Sequence, residues 1–148
     1  MNKAKTIIVP ILSALIFLLI LIACEDNSPA KTEDDLGLVG SWEVTKMSSE
    51  YQGETVTYTE SQLDSIGLIW TLDIEEPGTV VQTTNMSSPI VSMPGTWKTS
   101  GNKLTLNLTA PNGEVGEMVY QYAIDGNILK LNWKMPVGTE LYAEFTKQ

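Results

Sequence analysis

The most informative stretch of this 148-residue chain is Gly101-Asn102-Lys103-Leu104-Thr105-Leu106-Asn107, in which a turn pair precedes alternating apolar and polar residues. Such period-two alternation is typical of a β-strand with one buried face, and a Gly-Asn pair favours a tight hairpin turn. The pattern returns 25 residues later as Gly126-Asn127-Ile128-Leu129-Lys130-Leu131-Asn132. The repeat predicts that hairpins of one kind follow one another along the chain.

Alternating segments of the same kind fill the chain from Leu38 onward, and they predict eight or nine strands. The turns between them are too short for crossover helices, so consecutive strands should pair antiparallel. One short helix near residues 60–66 is predicted by the capping box Thr59-Glu60-Ser61-Gln62 and by Gly67 as its C-terminal stop. Because so short a chain cannot cover an open sheet with helices, we expect an all-β fold, an antiparallel up-and-down barrel.

The first 23 residues differ in character from the rest of the chain. Lys3 and Lys5 precede an apolar run from Ile7 to Ala23, which ends in Cys24-Glu25-Asp26. The run is slightly shorter than the roughly 20 apolar residues of a membrane-spanning helix, and its order of charged, apolar and small residues is that of a signal peptide. A plain signal anchor with an unmodified cysteine is the alternative interpretation.

The end of this apolar run, Leu21-Ile22-Ala23-Cys24, resembles the lipobox of bacterial lipoproteins. The resemblance implies that a signal peptide of residues 1–23 is cleaved and that Cys24 is the lipid attachment site, whose acyl chains, such as palmitate, hold the protein to the lipid bilayer. Residues 24–36, rich in charge and poor in apolar residues, would then form a flexible acidic tether. We expect a location in the cell envelope, at the outer membrane, on its periplasmic or its surface side.

The start of the first predicted strand, Leu38-Val39-Gly40-Ser41-Trp42, resembles the Gly-x-Trp signature of lipocalins. With the later Gly95-Thr96-Trp97 and the hairpin at 101–106, the chain resembles the short bacterial lipocalin-like lipoproteins from residue 36 to residue 148. The resemblance implies that residues 37–148 form a lipocalin-like β-barrel domain, a fold often assigned to ligand binding.

The same resemblance implies a structural role for Gly40 and Trp42, with the Trp42 ring plugging the closed end of the barrel. Two features depart from the lipocalin pattern. The chain contains no Arg, so it lacks the Arg that packs on the first-strand Trp in many lipocalins, and it has no Cys pair to fasten the C-terminal segment.

The composition argues against several function classes. The chain has no His, one Cys, and 9 Lys+Arg against 18 Asp+Glu. Without imidazole there is no His-based triad or His-bearing zinc site, and a net charge of −9 disfavours a nucleic-acid partner. Neither a phosphate-binding loop nor a nucleophile elbow is present in the sequence. We therefore expect no enzymatic activity, no catalytic residue, no metal, no cofactor and no nucleic acid.

Five aromatic residues are candidates for contact with a small hydrophobic ligand: Trp70, Trp97, Tyr120, Tyr122 and Trp133. Aromatic rings combine a large apolar area with a polar handle. The alternative interpretation is that these rings fill the core, because an eight-stranded barrel is just wide enough for its own side chains. Two functions remain, ligand binding and a non-enzymatic structural or protein-interaction module that docks onto an unknown envelope partner.

Overall fold

Nine strands and one short helix follow one another in the computed structural model, which describes residues 37–86, 89–135 and 138–148. The elements are β1 (Gly40–Tyr51), β2 (Glu54–Thr59), α1 (Glu60–Ser65), β3 (Trp70–Glu75), β4 (Thr79–Thr84), β5 (Val91–Ser100), β6 (Lys103–Thr109), β7 (Val115–Asp125), β8 (Ile128–Lys134) and β9 (Glu140–Lys147). The all-β prediction and the short helix near residues 60–66 are confirmed. The predicted signal peptide, Cys24 and the tether lie outside the described residues.

The strands form one antiparallel sheet in the order β2-β1-β3-β4-β5-β6-β7-β8-β9, and pairing of β1 with β9 closes it. Eight strands therefore make a barrel, and β2 is an extra strand beside β1. This arrangement rests on the length of β1, which pairs with β3 through Gly40–Glu43 and with β2 through Lys46–Tyr51. A register shift between Val44 and Lys46 in the pairing with β9 divides the two parts.

The Gly-Asn repeat forms two of the barrel's hairpins, as the sequence predicts. Gly101 opens the two-residue turn between β5 and β6, and Gly126 opens the turn between β7 and β8. Their φ angles are 59° and 60°. Only glycine adopts this backbone region without steric cost, so the repeated glycine sets the position of each turn.

Alternate residues of each strand point into the barrel and bury their side chains. In β6 these residues are three leucines that are no more than 3% exposed, and in β8 they are the fully buried Leu129 and Leu131 and the half-buried Trp133. The interior also contains the buried polar residues Gln82 and Thr84, both on β4. The apolar core residues are Leu38, Trp42, Val44, Leu63, Trp70, Leu72, Ile74, Val80, Trp97, Leu104, Leu106, Leu108, Tyr120, Leu129, Leu131, Ala143 and Phe145.

The two ends of the barrel differ in their connections. Because strand direction alternates, the tight turns after β3, β5 and β7 lie at the end where β1 begins, which we call the closed end. The loops after β4, β6 and β8 lie at the opposite end, which we call the helix end because α1 follows β2 there. Leu63 of α1 is 2% exposed and packs in the core. Within the described ranges, no helix has the length and apolar character needed to cross a membrane.

Candidate functional site

The closed end of the barrel is built around Trp42. Its ring is 1% exposed, and its Nε1 donates a hydrogen bond of 2.7 Å to the carbonyl oxygen of Leu38, a fully buried residue. Lys147, on the neighbouring strand β9, places its Nζ 5.1 Å from the centroid of the Trp42 ring. Lys147 thus supplies a cation over this indole in a chain that has no Arg.

Gly40 makes room for this lysine. Its φ angle is +142°, and a Cβ atom at this position would lie 2.5 Å from Cε of Lys147. Both the backbone conformation and the space therefore favour glycine two residues before Trp42. This gives a physical reason for the Gly-x-Trp spacing at the start of β1.

Three of the five aromatic candidates come together inside the barrel. Trp70 makes an edge-to-face contact with Trp133 at 5.5 Å between ring centroids, and another with Phe145 at 4.9 Å. Tyr120 contacts Trp133 in the same way at 5.4 Å. We call these four residues the aromatic cluster. Trp70 and Tyr120 are each 1% exposed, whereas Trp133 is only half-buried.

The other two aromatic candidates, Trp97 and Tyr122, are not part of the aromatic cluster and make hydrogen bonds elsewhere. Trp97 is 7% exposed, and its Nε1 donates a hydrogen bond of 2.9 Å to the carbonyl oxygen of Glu75 at the closed end. Tyr122 is half-buried, and its backbone N–H donates to the carbonyl oxygen of Asn102 at 2.8 Å. Tyr122 is one of the residues that line a depression of about 270 Å³ beside the β5–β6 turn.

The barrel wall separates next to the aromatic cluster. Strands β7 and β8 pair from Gln121 opposite Asn132 to Asp125 opposite Ile128. Beyond that point, toward the helix end, β7 continues its pairing with β6, and Trp133 of β8 continues its pairing with β9. We call this separation the wall split.

A depression of about 370 Å³ lies at the wall split, and two residues of the aromatic cluster, Tyr120 and Trp133, are among those that line it. It is lined by Lys103, Val119, Tyr120, Gln121, Asn132, Trp133, Lys134 and Glu140. Of these two cluster residues, Trp133 is half-buried and Tyr120 is 1% exposed, so Trp133 is the more exposed member of the cluster at the wall split. The sequence carries no signal for this feature, since the alternation in β7 runs unbroken past Tyr120.

Two buried polar atoms lie at the cluster, one on its member Trp70 and one on Gln82 of the adjacent strand β4. Among the residues that the structure describes, neither Nε1 of Trp70 nor Oε1 of Gln82 makes a hydrogen bond. The indoles of Trp42 and Trp97, by contrast, both donate to backbone carbonyls. The sequence candidates did not include Gln82, a polar residue two positions after the buried Val80 in β4.

The family model of the lipocalin-like domain matches residues 38–131. The chain belongs to the lipocalin-like domain family. Among solved structures, it is similar to a lipocalin-like protein from Bacteroides uniformis, with 13% identity, a TM-score of 0.49, and coverage of 76% of this chain and 99% of that one. An uncharacterized protein from Bacteroides eggerthii matches with 15% identity, a TM-score of 0.45, and coverage of 74% and 98%.

A redesigned β-barrel bound to DFHBI matches the chain with 18% identity, a TM-score of 0.48, and coverage of 78% of this chain and 100% of that one. No curated protein matches.

Among the described residues of this lipocalin-like domain, the groups with a shifted pKa lie in two places. Inside the barrel, burial raises the pKa of the Tyr120 phenol well above its usual value, so it stays neutral. On the outer wall, the Tyr142 hydroxyl donates a hydrogen bond of 2.5 Å to Glu144, whose carboxylate also lies 3.4 Å from Lys46. Desolvation, followed by this hydrogen bond, raises the pKa of Tyr142 to about 12, and the same hydrogen bond lowers the pKa of Glu144.

Within the described part of the lipocalin-like domain, no group of three or more acidic, cysteine or histidine residues is placed to hold a metal ion. The arrangement that offers binding chemistry is the aromatic cluster with its two unpartnered polar atoms. It combines apolar ring surface with one hydrogen-bond donor and one acceptor.

Proposed function

We propose that this protein is a membrane-anchored bacterial lipoprotein whose lipocalin-like barrel binds a small hydrophobic ligand. The single observation that carries the ligand proposal is the aromatic cluster, whose half-buried member Trp133 lines the depression at the wall split. Apolar pockets with a few convergent polar groups are the usual form of small-molecule sites, and their volumes start at roughly 300 Å³. The depression of about 370 Å³ falls in this range.

Trp133 is the residue through which a ligand would reach the interior. It is half-buried, whereas its ring neighbours Trp70 and Tyr120 are almost fully buried. Its ring contacts both neighbours edge-to-face. A rotation of the Trp133 side chain would open a path to the Trp70 ring while the strands stay paired, since it lies beyond the last β7–β8 pair.

The anchor proposal rests on the lipobox-like Leu21-Ile22-Ala23-Cys24. Each acyl CH₂ buried in a bilayer contributes about 0.8 kcal/mol, so several chains on Cys24 would hold the protein stably. Once residues 1–23 are removed, the 7 remaining Lys against 18 acids give a net side-chain charge of −11. Such a charge disfavours adhesion to anionic headgroups, so in this proposal the acyl chains provide the attachment to the outer membrane.

Labelling with palmitate tests the anchor. Cys24→Ala should abolish incorporation of labelled palmitate and leave the uncleaved precursor, because the thiol is the acyl acceptor. Ser28→Ala, four residues away in the predicted tether, is the matched control and should be labelled like wild type. Continued labelling of Cys24→Ala would contradict the lipoprotein proposal.

Binding of the apolar dye N-phenyl-1-naphthylamine tests the ligand site. The full chain in lipid nanodiscs should enhance dye fluorescence above that of empty nanodiscs, and Trp133→Ala should weaken binding by about tenfold through loss of one ring contact. Tyr51→Ala is the control, because Tyr51 is an aromatic residue of β1 that is 53% exposed. Equal dye binding by the wild type and Trp133→Ala would rule out this site.

A non-enzymatic structural or protein-interaction module is the second candidate, and strand β2 favours it. All six residues of β2 are exposed, and Val56 and Tyr58 are 50% and 43% exposed. Such a strand can pair with another chain. Native mass spectrometry of the full chain together with a pulldown separates the candidates. A co-purifying small molecule supports ligand binding, whereas a clean apo mass together with a protein partner in the pulldown supports the module.

A further inference from the structure

We propose that Trp70 and Gln82 form a polar subsite that recognises a neutral amide group on the ligand. Nε1–H of Trp70 would donate to the amide carbonyl, and Oε1 of Gln82 would accept from the amide N–H. Within the described ranges these two atoms have no hydrogen-bond partner, although their residues are only 1% and 3% exposed. This inference rests on the proposed ligand-binding function.

The strand register places the two residues within reach of one ligand group. Trp70 of β3 pairs with Thr84 of β4, and Leu72 pairs with Gln82. Trp70 and Gln82 are therefore diagonal neighbours on the inward face of adjacent antiparallel strands. Such positions lie about 7–8 Å apart, a span that two long side chains bridge with a small polar group between them.

The surroundings of Gln82 select a neutral group over an ion. Its two cross-strand neighbours are Leu72 on β3 and Met93 on β5, which are both apolar. Thr84 accepts a hydrogen bond of 3.2 Å from the backbone N–H of Met86. A carboxylate here would find no cation among these three neighbours and would face the carbonyl oxygen of Gln82, whereas an amide matches one donor with one acceptor.

The unpartnered atoms have an energetic consequence for the ligand-free protein. A buried polar group without a partner is destabilising, and replacement by an apolar group of similar shape removes that penalty. Gln82→Met keeps the length of the side chain and removes the amide. We therefore expect Gln82→Met to increase the stability of the ligand-free protein and to abolish its preference for an amide.

Matched probes test the subsite on the full chain in lipid nanodiscs, with empty nanodiscs as the blank. The probes are 2-naphthamide and N,N-dimethyl-2-naphthamide, which share the ring system and the carbonyl but differ in the N–H donor. Tryptophan fluorescence reports binding, and urea unfolding reports stability. Wild type should bind 2-naphthamide about tenfold more tightly than its dimethyl analogue, as one additional buried hydrogen bond predicts.

Two variants and a control complete the test. Gln82→Met should bind both probes equally and resist urea better than wild type, and Trp70→Phe should bind both more weakly, because both use the carbonyl. Gln148→Met makes the same chemical change at an exposed residue and should behave like wild type. Equal binding of the two probes by wild type, or a destabilised Gln82→Met that keeps the preference, would overturn the subsite.

The outcomes separate this inference from the proposed function. If N-phenyl-1-naphthylamine binds the wild type and 2-naphthamide shows no preference, the subsite is wrong and the hydrophobic site stands. If neither the dye nor the amides bind, both proposals fail.

Discussion

Lys147 on the last strand lies over the ring of Trp42 on the first, with its Nζ 5.1 Å from the ring centroid. The same ammonium group lies 3.4 Å from the carbonyl oxygen of Gly37, to which it donates. Since β1 and β9 are the two strands whose pairing closes the barrel, this contact fastens the closed end at its seam. Lys147 and Trp42 are also directly opposite each other in that pairing.

Substitutions of Lys147 should separate the contribution of its charge to stability from that of its apolar stem. Lys147→Met keeps the stem and should lower the free energy of unfolding by about 0.5–1 kcal/mol, the usual size of a cation–π contact. Lys147→Arg should stay close to wild type, because a guanidinium group stacks well on an indole. Urea unfolding followed by tryptophan fluorescence measures both, and a Lys147→Met variant as stable as wild type would contradict the role of the charge.

Removal of the Trp42 ring should have a much larger effect. Trp42→Ala is expected to lower the free energy of unfolding by about 3–5 kcal/mol, since the ring is 1% exposed and its loss opens a cavity beneath Leu38. Tyr51→Ala, an aromatic truncation at the exposed end of the same strand, should cost far less. Thermal melts that coincide for wild type and Trp42→Ala would refute the plug.

Gly95 and Gly116 should differ in how well they tolerate an added methyl group. A Cβ atom at Gly95 would lie 2.0 Å from the backbone carbonyl oxygen of Asn107, whereas one at Gly116 would meet nothing within 4 Å. Gly95→Ala should therefore destabilise the barrel by about 3 kcal/mol, because β5 and β6 must move apart. Gly116→Ala should be near neutral in the same urea titration. Equal midpoints for the two variants would show that β5 and β6 separate easily.

The contact between Tyr142 and Glu144 predicts a pH-dependent contribution to stability. The hydrogen bond from Tyr142 lowers the pKa of Glu144 in the folded state below its ordinary value of 4.5. A lowered carboxyl pKa stabilises the fold above the unfolded value, and this contribution disappears as pH falls through the folded value. Unfolding measured between about pH 6 and pH 2.5 should therefore show a larger loss for wild type than for Glu144→Gln.

Tyr142→Phe provides the matched control for this acid dependence. It removes the donor that contributes most to the lowered pKa of Glu144 but leaves the carboxylate and Lys46 in place. Its loss of stability in acid should lie between those of wild type and Glu144→Gln. If Tyr142→Phe loses as much stability in acid as the wild type does, the lowered pKa of Glu144 would be due to Lys46 instead.

Local pattern was sufficient to predict most of the strands and the helix. Leu104 and Leu106 alternate with polar neighbours, so their strand could be recognised without any partner. Thr59 and Gln62 lie close enough in sequence for the Thr59 backbone N–H to donate to Gln62 Oε1 at 2.9 Å, so the start of α1 could be predicted locally. These features depend on residues a few positions apart.

The candidate site was predicted less completely, because its decisive contacts join distant residues. Aromatic type alone selected Trp70, Tyr120 and Trp133, and the structure shows that their rings touch. The structure places Gln82 on the inward face of β4, and nothing local in the sequence indicates that its carbonyl oxygen lacks a partner among the described residues. That property depends on which side chains the neighbouring strands bring to it.

An all-β chain of consecutive hairpins follows from local sequence, because side-chain alternation and turn glycines act over a few residues. Three relationships depend on the tertiary structure: the position of Lys147 over Trp42, the wall split beside Trp133, and the diagonal placement of Trp70 and Gln82 on adjacent strands. Each depends on strand register across the closed sheet. Register is set by the packing of the whole barrel, since a shift of one residue would turn every inward side chain outward.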